Sequence, residues 1–257
     1  LMHPMLNIAI RAARAAGDLI VREMDRVSDI SIDIKGKNDF VTEVDTQAEF
    51  TIINIIKNSY PDHAFLCEES GASGESDFLW IIDPLDGTTN FLHGFPHFAV
   101  SIALQHKGHL DQAVIYDPLK QELFTASKGK GAQLNNKKIR VSNRKTLDGA
   151  LLGTGFPYGD THSVDEFINS FKSLYPEIAG IRRAGVASLD LAYVACGRLD
   201  GFWEYELKPW DIAAGALLVQ EAGGINSELS GDVDYMGSGN IISANPKMIR
   251  AMLKVLF

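Results

Sequence analysis

The spacing of hydrophobic residues in the first half of the chain predicts helices followed by strands. Apolar residues recur at helical spacing through residues 5–26, and residues 42–58 predict a second long helix with Thr46 as a candidate start signal. Residues 71–77 are small and polar and predict a loop. Between residues 98 and 134, short β-rich segments are separated by turns that contain glycine or proline. We therefore expect two amphipathic helices and a set of antiparallel strands.

The pattern changes near residue 142, after which apolar strand segments alternate with helical segments. The last strand segment, residues 241–244, precedes a terminal helix that begins at Pro246. No flexible linker marks the change. We therefore predict an α/β (α+β) fold in two tightly packed parts, an N-terminal α+β half over residues 1–142 and a C-terminal α/β half over residues 143–257.

Composition narrows the class of function. The chain has 257 residues with 24 basic and 33 acidic side chains, a formal net charge of −9. An acidic chain without polybasic runs is not typical of a general nucleic-acid or anionic-membrane binder. Its two cysteines lie far apart, no apolar run approaches the roughly 20 residues that span a bilayer, and the first residues lack the features of a signal peptide. We expect a soluble, cytoplasmic protein.

Residues 83–90, Asp-Pro-Leu-Asp-Gly-Thr-Thr-Asn, carry the most informative chemistry. They follow an apolar segment, residues 78–82, that is typical of a buried strand. Two carboxylates at the end of such a strand repel each other and are costly to desolvate, and a bound divalent cation would offset that cost. The alternative is an Asp-rich turn in which Asp86 caps a helix.

Other acidic residues occur at comparable points of the predicted topology. Glu68 and Glu69 follow a short strand, and Asp211 lies at the start of a helix. Taken separately, the glutamates are most simply a solvated pair and Asp211 an N-cap residue. Taken together with the aspartates of residues 83–90, these oxygen ligands, without a Cys or His cluster nearby, favour Mg²⁺ over Zn²⁺.

Residues 87–89, Gly-Thr-Thr, offer backbone N–H groups at a helix start, where a phosphate binds readily, although a simple helix cap explains them as well. The Thr88 hydroxyl is suited to orient an attacking water, with Asp45 as its hydrogen-bond partner. Considered alone, Asp45 is better explained as a solvated residue on a helix surface.

Two longer segments resemble a known family. Residues 80–93 (Trp-Ile-Ile-Asp-Pro-Leu-Asp-Gly-Thr-Thr-Asn-Phe-Leu-His) and 210–224 (Trp-Asp-Ile-Ala-Ala-Gly-Ala-Leu-Leu-Val-Gln-Glu-Ala-Gly-Gly) resemble the two signatures of the inositol monophosphatase family. The resemblance covers essentially the whole chain and is strongest with the bacterial SuhB-type members, including residues 2–7, Met-His-Pro-Met-Leu-Asn. It implies the five-layer αβαβα sandwich of the inositol monophosphatase and fructose-1,6-bisphosphatase type.

The resemblance also implies an activity, the Mg²⁺-dependent hydrolysis of myo-inositol monophosphate by a metal-activated water, with two or three Mg²⁺ ions per site. The groups it assigns to the metals are Glu68, Asp83, Asp86, Asp211 and the backbone carbonyl of Leu85. The catalytic residues it implies are Glu68 and Thr88, which act on the water, and Asp45, which supports Thr88. The substrate-binding residues are Asp86, Gly87, Thr88, Gly185, Ala187, Glu204 and Asp211.

Val186 departs from the family pattern, because many relatives have Thr or Ser at this position. The missing hydroxyl leaves the substrate open between inositol monophosphate, fructose 1,6-bisphosphate and 3′-phosphoadenosine nucleotides. The family lysine near the metals corresponds to Lys35 or Lys37. Family analogy further implies a homodimer and inhibition by lithium. SuhB-type members are associated with transcription antitermination complexes, so a protein partner in such a complex is a second hypothesis.

Overall fold

The computed structural model describes residues 3–24, 32–36, 39–157 and 164–256. The helices in these residues are α1 (Pro4–Glu23), α2 (Glu43–Ser59), α3 (Thr88–Leu92), α4 (Val164–Leu174), α5 (Ala187–Ala195), α6 (Pro209–Glu221), α7 (Tyr235–Ser238) and α8 (Pro246–Leu256). The strands are β1 (Ile32–Gly36), β2 (Asp39–Thr42), β3 (Ala64–Cys67), β4 (Gly71–Ser73), β5 (Phe78–Asp86), β6 (Ala99–His106), β7 (His109–Asp117), β8 (Glu122–Ser127), β9 (Gly131–Leu134), β10 (Lys137–Lys138), β11 (Leu151–Thr154), β12 (Gly180–Arg182), β13 (Gly201–Glu204), β14 (Ile225–Ser227) and β15 (Ile241–Ala244).

Two large sheets organise these strands, beside the two-stranded ribbon β1–β2. The larger sheet has the order β10-β9-β8-β7-β6-β5-β3-β4 and is antiparallel except where β3 pairs with β5. The smaller sheet has the order β12-β11-β13-β15-β14. It is parallel at its first two pairings and antiparallel at the others.

The helices form three layers around the sheets. Helices α1 and α2 cover one face of the larger sheet, where Ile20 and Ile52 join Trp80 in one apolar cluster. Helices α5 and α6 lie between the two sheets, and α4 and α8 cover the outer face of the smaller sheet through Phe167 and Met248. The layers therefore follow the order αβαβα, and the predicted fold class is confirmed.

The central helices lack the polar face of an ordinary surface helix. Residues 212–219 of α6 are buried one after another, because sheets enclose this helix on both sides. One apolar cluster contains Ile81 of β5 and Ile212 of α6, so it includes residues from both sides of position 142 in the sequence. The division of the chain into two halves at that residue stays a prediction.

Helix α2 covers almost the same residues as the predicted segment 42–58, but its start signal is not Thr46. Thr42, rather than Thr46, is the N-cap residue, because its side chain accepts the backbone N–H groups of Val44 and Asp45. The Asp45 side chain in turn accepts the N–H of Thr42 at 2.8 Å, which completes a capping box. The predicted end of the first helix at residue 26 lies outside the described residues.

Two strands also differ from expectation. Strand β5 does not end before the acidic run but continues through it to Asp86, with an irregular register between Asp83 and Asp86 on either side of Pro84. Part of the predicted loop at 71–77 forms β4, which pairs with β3. Among the described helices, none combines the length and apolar composition of a membrane span.

Candidate active site

Four acidic residues meet where strands of the larger sheet end and helix α6 begins. Asp83 and Asp86 lie in the last part of β5, and Asp211 is the third residue of α6. Glu68 directly follows β3, the parallel neighbour of β5, and its N–H donates to the Ile82 carbonyl at 3.1 Å. The parallel pairing thus places Glu68 beside Asp83.

The charges of these residues act on one another. Burial, followed by Glu68, Asp86 and Asp211, raises the pKa of Asp83 well above its usual range, and the residue is only 2% exposed. Burial also raises the pKa of Asp86 to about 6, and burial together with Asp86 raises the pKa of Asp211 to about 7. Neighbouring carboxylates with such pKa values are unfavourable as ions unless a cation compensates them.

The donor set fits a hard divalent cation in its chemistry. The four side chains and the Leu85 carbonyl are all oxygen donors, and Asp83 Oδ1 accepts the Leu85 N–H at 3.0 Å, which orders the short turn around Pro84. In the described part of the chain, no three His, Cys, Asp or Glu side chains already form a metal cage. The carboxylates are neighbours that would have to draw together around an ion.

Thr88 and Asp45 lie beside the acidic group. The Thr88 hydroxyl lies 2.8 Å from Asp45 Oδ1 and 3.1 Å from the Leu85 carbonyl oxygen. Asp45 is fully buried, at 0% exposure, so the interpretation of a solvated helix residue is wrong. Burial raises the pKa of Asp45, while hydrogen bonds from Thr42 and Thr88 oppose that shift. Each oxygen of Asp45 therefore serves as an acceptor.

Asp86 caps a different helix from the one that the sequence suggested. Helix α3 has Gly87 as its N-cap residue, in the left-handed conformation at φ 100°, with no side-chain cap. Asp86 Oδ2 instead accepts the N–H of Ser188 at 2.8 Å, in the first turn of α5. Val186, the N-cap residue of α5, makes no side-chain cap. Asp86 therefore supplies across the site the acceptor that Thr or Ser at position 186 would offer locally.

Asp211 also differs from its simplest sequence interpretation. It occupies the third position of α6, and its Oδ2 accepts the N–H of Lys208, the N-cap residue, at 2.7 Å. Asp211 is thus a first-turn residue rather than the N-cap, with one carboxylate oxygen occupied by the backbone.

Glu204 lies at the end of β13, deep in the same region. It is 5% exposed, and burial raises its pKa well above the usual range, followed by the charges of Asp190, Asp211 and Asp86. Its carboxylate lies so close to the Gly155 backbone that a Cβ on Gly155 would sit 1.8 Å from Glu204 Oε1. Glu204 therefore lies close enough to Asp86 and Asp211 for their charges to act on its carboxyl group.

Comparison with known proteins identifies the family. Residues 1–255 match the model of the inositol monophosphatase family. The chain belongs to this family. It is 56% identical to Nus factor SuhB of Pseudomonas aeruginosa over 261 aligned positions, which cover 99% of this chain and 96% of that protein.

Similar solved structures support the assignment of the chain to the inositol monophosphatase family. The extragenic suppressor protein suhB of Bartonella henselae is 42% identical with a TM-score of 0.96, covering 99% of this chain and 98% of the other. Inositol monophosphatase of Anabaena is 37% identical with a TM-score of 0.85, covering 98% and 94%. As a member of the inositol monophosphatase family, the protein is a phosphatase.

Three residues that sequence reasoning did not assign also lie at the site. Asn90 Nδ2 donates to the carbonyls of His97 and Ala184, at 2.9 Å each, and so ties α3 to the loop before Gly185. Asn90 stands inside the family signature, which was a usable signal. Ser188 and Asp190 of α5 are buried beside Asp86, and only folding brings them there.

The remaining substrate-binding predictions fall on the α5 side of the site. Gly185 has φ +79°, and a Cβ there would lie 2.9 Å from the Arg183 guanidinium, so a side chain at this position is disfavoured. Ala187 opens α5. Val186 is fully buried, with one methyl group against Gly87. The side chains of Lys35 and Lys37 lie outside the described part of the structure.

Proposed function

We propose that the protein is a Mg²⁺-dependent phosphomonoesterase that hydrolyses myo-inositol monophosphate to inositol and phosphate. The observation that carries this proposal is the acidic group around Asp83, in which like charges raise one another's pKa. Membership of the inositol monophosphatase family and the likeness to the Anabaena inositol monophosphatase support the substrate class.

Glu68, Asp83, Asp86, Asp211 and the Leu85 carbonyl would hold two or three Mg²⁺ ions. Bound there, Mg²⁺ would polarise the phosphoryl group and lower the pKa of a water molecule. The Thr88 hydroxyl donates a hydrogen bond to Asp45, so the lone pairs of Oγ1 remain free to accept a hydrogen bond from the attacking water. Glu68 accepts the proton that this water releases.

The substrate contacts follow from the same arrangement. Gly87 and Thr88 direct backbone N–H groups to the phosphate, next to Asp86 and Asp211. The inositol hydroxyls are bound by Glu204 and by the backbone of Gly185 and Ala187. A carboxylate beside a polyol accepts hydrogen bonds in a geometry that an apolar leaving group cannot satisfy, which favours inositol over less hydroxylated esters.

A phosphate-release panel tests this proposal. The purified protein is assayed with inositol 1-phosphate, fructose 1,6-bisphosphate and a 3′-phosphoadenosine nucleotide, each with and without Mg²⁺. We expect Mg²⁺-dependent release with inositol 1-phosphate preferred. A hundredfold preference for the nucleotide would overturn the substrate assignment. The Asp86→Asn variant should lose turnover and keep its fold. The Asp62→Asn variant, changed at an exposed position, should retain both turnover and fold. Near-normal activity of Asp86→Asn would show that Asp86 is not part of the active site.

The high identity to a protein named Nus factor SuhB favours a second role, as a protein partner in a transcription antitermination complex. The formal net charge of −9 favours contact with a protein over broad affinity for RNA. A pull-down with Asp86→Asn protein tests this role: retained binding without turnover would show two separable functions. The homodimer and lithium inhibition are further proposals from family analogy, and the cytoplasmic location is a further proposal from the composition of the chain.

A further inference from the structure

Helix α2 carries two buried acidic residues that are one turn apart. Asp45 is 0% exposed and Glu49 is 3% exposed. Residues four positions apart lie on the same face of a helix, so both carboxylates belong to one buried face of α2. Asp45 holds Thr88, as described above. Glu49 is not among the residues assigned to metal, substrate or water.

Glu49 holds the turn that follows β3. Its Oε2 accepts the N–H of Glu69 at 2.8 Å, and its Oε1 accepts the N–H of Ser70 at 2.9 Å. The preceding N–H, that of Glu68, donates to the Ile82 carbonyl of β5 at 3.1 Å. Three successive backbone N–H groups of this turn therefore have defined acceptors, two of them on one charged side chain. Hydrogen bonds to an ionised carboxylate are stronger than those between neutral groups.

We propose that Glu49 is a positioning residue, which holds the turn at residues 68–70 and thereby sets the location of the Glu68 carboxylate relative to Asp83. This inference rests on the proposed function, because Glu68 is proposed as a metal ligand and as the group that accepts the water proton. Since Asp45 and Glu49 belong to one helix, α2 would set the spacing between Thr88 and Glu68, the two side chains proposed to act on the water. Such supporting contacts hold a site within the narrow geometric limits that catalysis needs.

A purely structural role for Glu49 predicts a different result from a positioning role. If Glu49 only satisfied two buried N–H groups, its loss would lower stability and leave the Mg²⁺ requirement of the folded protein unchanged. If Glu49 positions Glu68, the loss of Glu49 would weaken Mg²⁺ binding even though the protein remains folded. The Mg²⁺ concentration at half-maximal activity separates the two roles.

The test compares Glu49→Gln with Glu43→Gln, a matched change at an exposed position on the same helix. The amide that Glu49→Gln introduces retains one acceptor oxygen but turns an N–H₂ group toward the second backbone N–H. We expect the half-saturating Mg²⁺ concentration of Glu49→Gln to rise at least tenfold, while KM for inositol 1-phosphate at saturating Mg²⁺ stays within twofold of the wild type. Isothermal titration with Mg²⁺ alone should show the same loss, and amide exchange at residues 69 and 70 should accelerate.

Glu49→Asp provides a second variant, because it keeps the charge and shortens the side chain by one methylene group; we expect an intermediate Mg²⁺ requirement. A lower melting temperature with an unchanged Mg²⁺ requirement in both variants would overturn the inference and leave the proposed function intact. A wild-type protein without Mg²⁺-dependent activity would overturn the proposed function, and this inference with it. Glu43→Gln should match the wild type in every measurement.

Discussion

The hydroxyl oxygen of Thr88 lies 2.8 Å from Oδ1 of Asp45, and it donates a hydrogen bond to a residue 43 positions earlier in the chain. The other oxygen of Asp45 accepts the backbone N–H and the hydroxyl of Thr42. The same carboxylate therefore caps the N-terminus of helix α2 together with Thr42, and it also orients the Thr88 hydroxyl. A change at Asp45 should affect the Thr88 hydroxyl, which is proposed to orient the attacking water, more strongly than it affects the fold.

Replacing Asp45 by Asn should lower kcat about 100-fold, within the range ascribed to positioned proton-transfer groups. The oxygen of the introduced amide would face the Thr42 donors, so its N–H₂ group would donate to Thr88 and reverse the direction of the present hydrogen bond. Thr88 would then lose its acceptor on Asp45, and Oγ1 would have one lone pair fewer for the water. Mg²⁺ binding, measured by isothermal titration, should change little. The exposed Asp62→Asn serves as the control, and a kcat within threefold of the wild type for Asp45→Asn would contradict the role of Asp45.

Replacing Asp83 by Asn should stabilise the metal-free protein. Burial and three acidic neighbours raise the pKa of Asp83, so the charged form is unfavourable without a cation, while Asn can still accept the Leu85 N–H. We expect a gain of about 1 kcal/mol, which corresponds to roughly 2–4 °C in Tm for a protein of this size. Thermal unfolding in EDTA and in Mg²⁺ provides the measurement.

The same scans contain their own control. Mg²⁺ should raise Tm of the wild type, because a ligand that binds only the folded state stabilises it. It should leave Tm of Asp83→Asn unchanged. A variant that is less stable than the wild type in EDTA would show that repulsion at Asp83 does not limit the stability of the metal-free fold.

The elements that the sequence revealed are those whose burial follows a simple pattern. The buried part of β5 and the enclosed helix α6 are continuous apolar runs. Strand β4 has no such signal, since Gly71–Ser73 is small and mostly exposed and pairs with β3 through its backbone. The extension of β5 to Asp86 likewise depends on a change of register that pairs Asp86 with Ala99, and local sequence does not encode this pairing.

The candidate site divides in the same way. Asp83, Asp86 and Asp211 lie within the two signatures, each of which is a continuous run of sequence, whereas Glu68 and Glu204 lie outside them and were assigned by the wider resemblance to the family. Glu49, Ser188 and Asp190 were missed because their contacts join segments far apart in the chain; Ser188, for example, meets Asp86 across 102 positions. A sequence pattern indicates that an acidic residue is present, but only the fold shows which backbone group it holds.

Replacing Gly155 by Ala should impair recognition of the polyol. The added Cβ would lie 1.8 Å from Glu204 Oε1, and the buried Glu204 would have to move. We expect KM for inositol 1-phosphate to rise about tenfold, comparable to the loss of one well-placed polar contact, with a smaller change for p-nitrophenyl phosphate, which has no polyol. Gly180→Ala is the matched control, since its Cβ would meet only ordinary contacts, the nearest at 3.5 Å. Equal increases in KM for both substrates would show that Glu204 does not take part in polyol binding.

His97 should make stability depend on pH in the mildly acidic range. Its Nδ1 lies 3.3 Å from Lys120 Nζ, which also binds Asp117 at 2.6 Å, and its Nε2 is buried without a hydrogen-bond partner. Burial, followed by the charge of Lys120, lowers the pKa of His97 to about 4, against about 6.5 in an unfolded chain.

The folded state binds a proton at His97 less readily than the unfolded state does. The free energy of unfolding is therefore unaffected by His97 above about pH 6.5, and it falls as the pH is lowered from about 6.5 toward about 4. Urea unfolding of the wild type and His97→Gln between pH 4.5 and 7.5 measures the difference in free energy of unfolding. Over the acidic part of this range, the wild type should lose up to about 1.4 kcal/mol per pH unit more than the variant. The exposed His109→Gln should run parallel to the wild type, and a parallel curve for His97→Gln would show that His97 takes up its proton equally in both states.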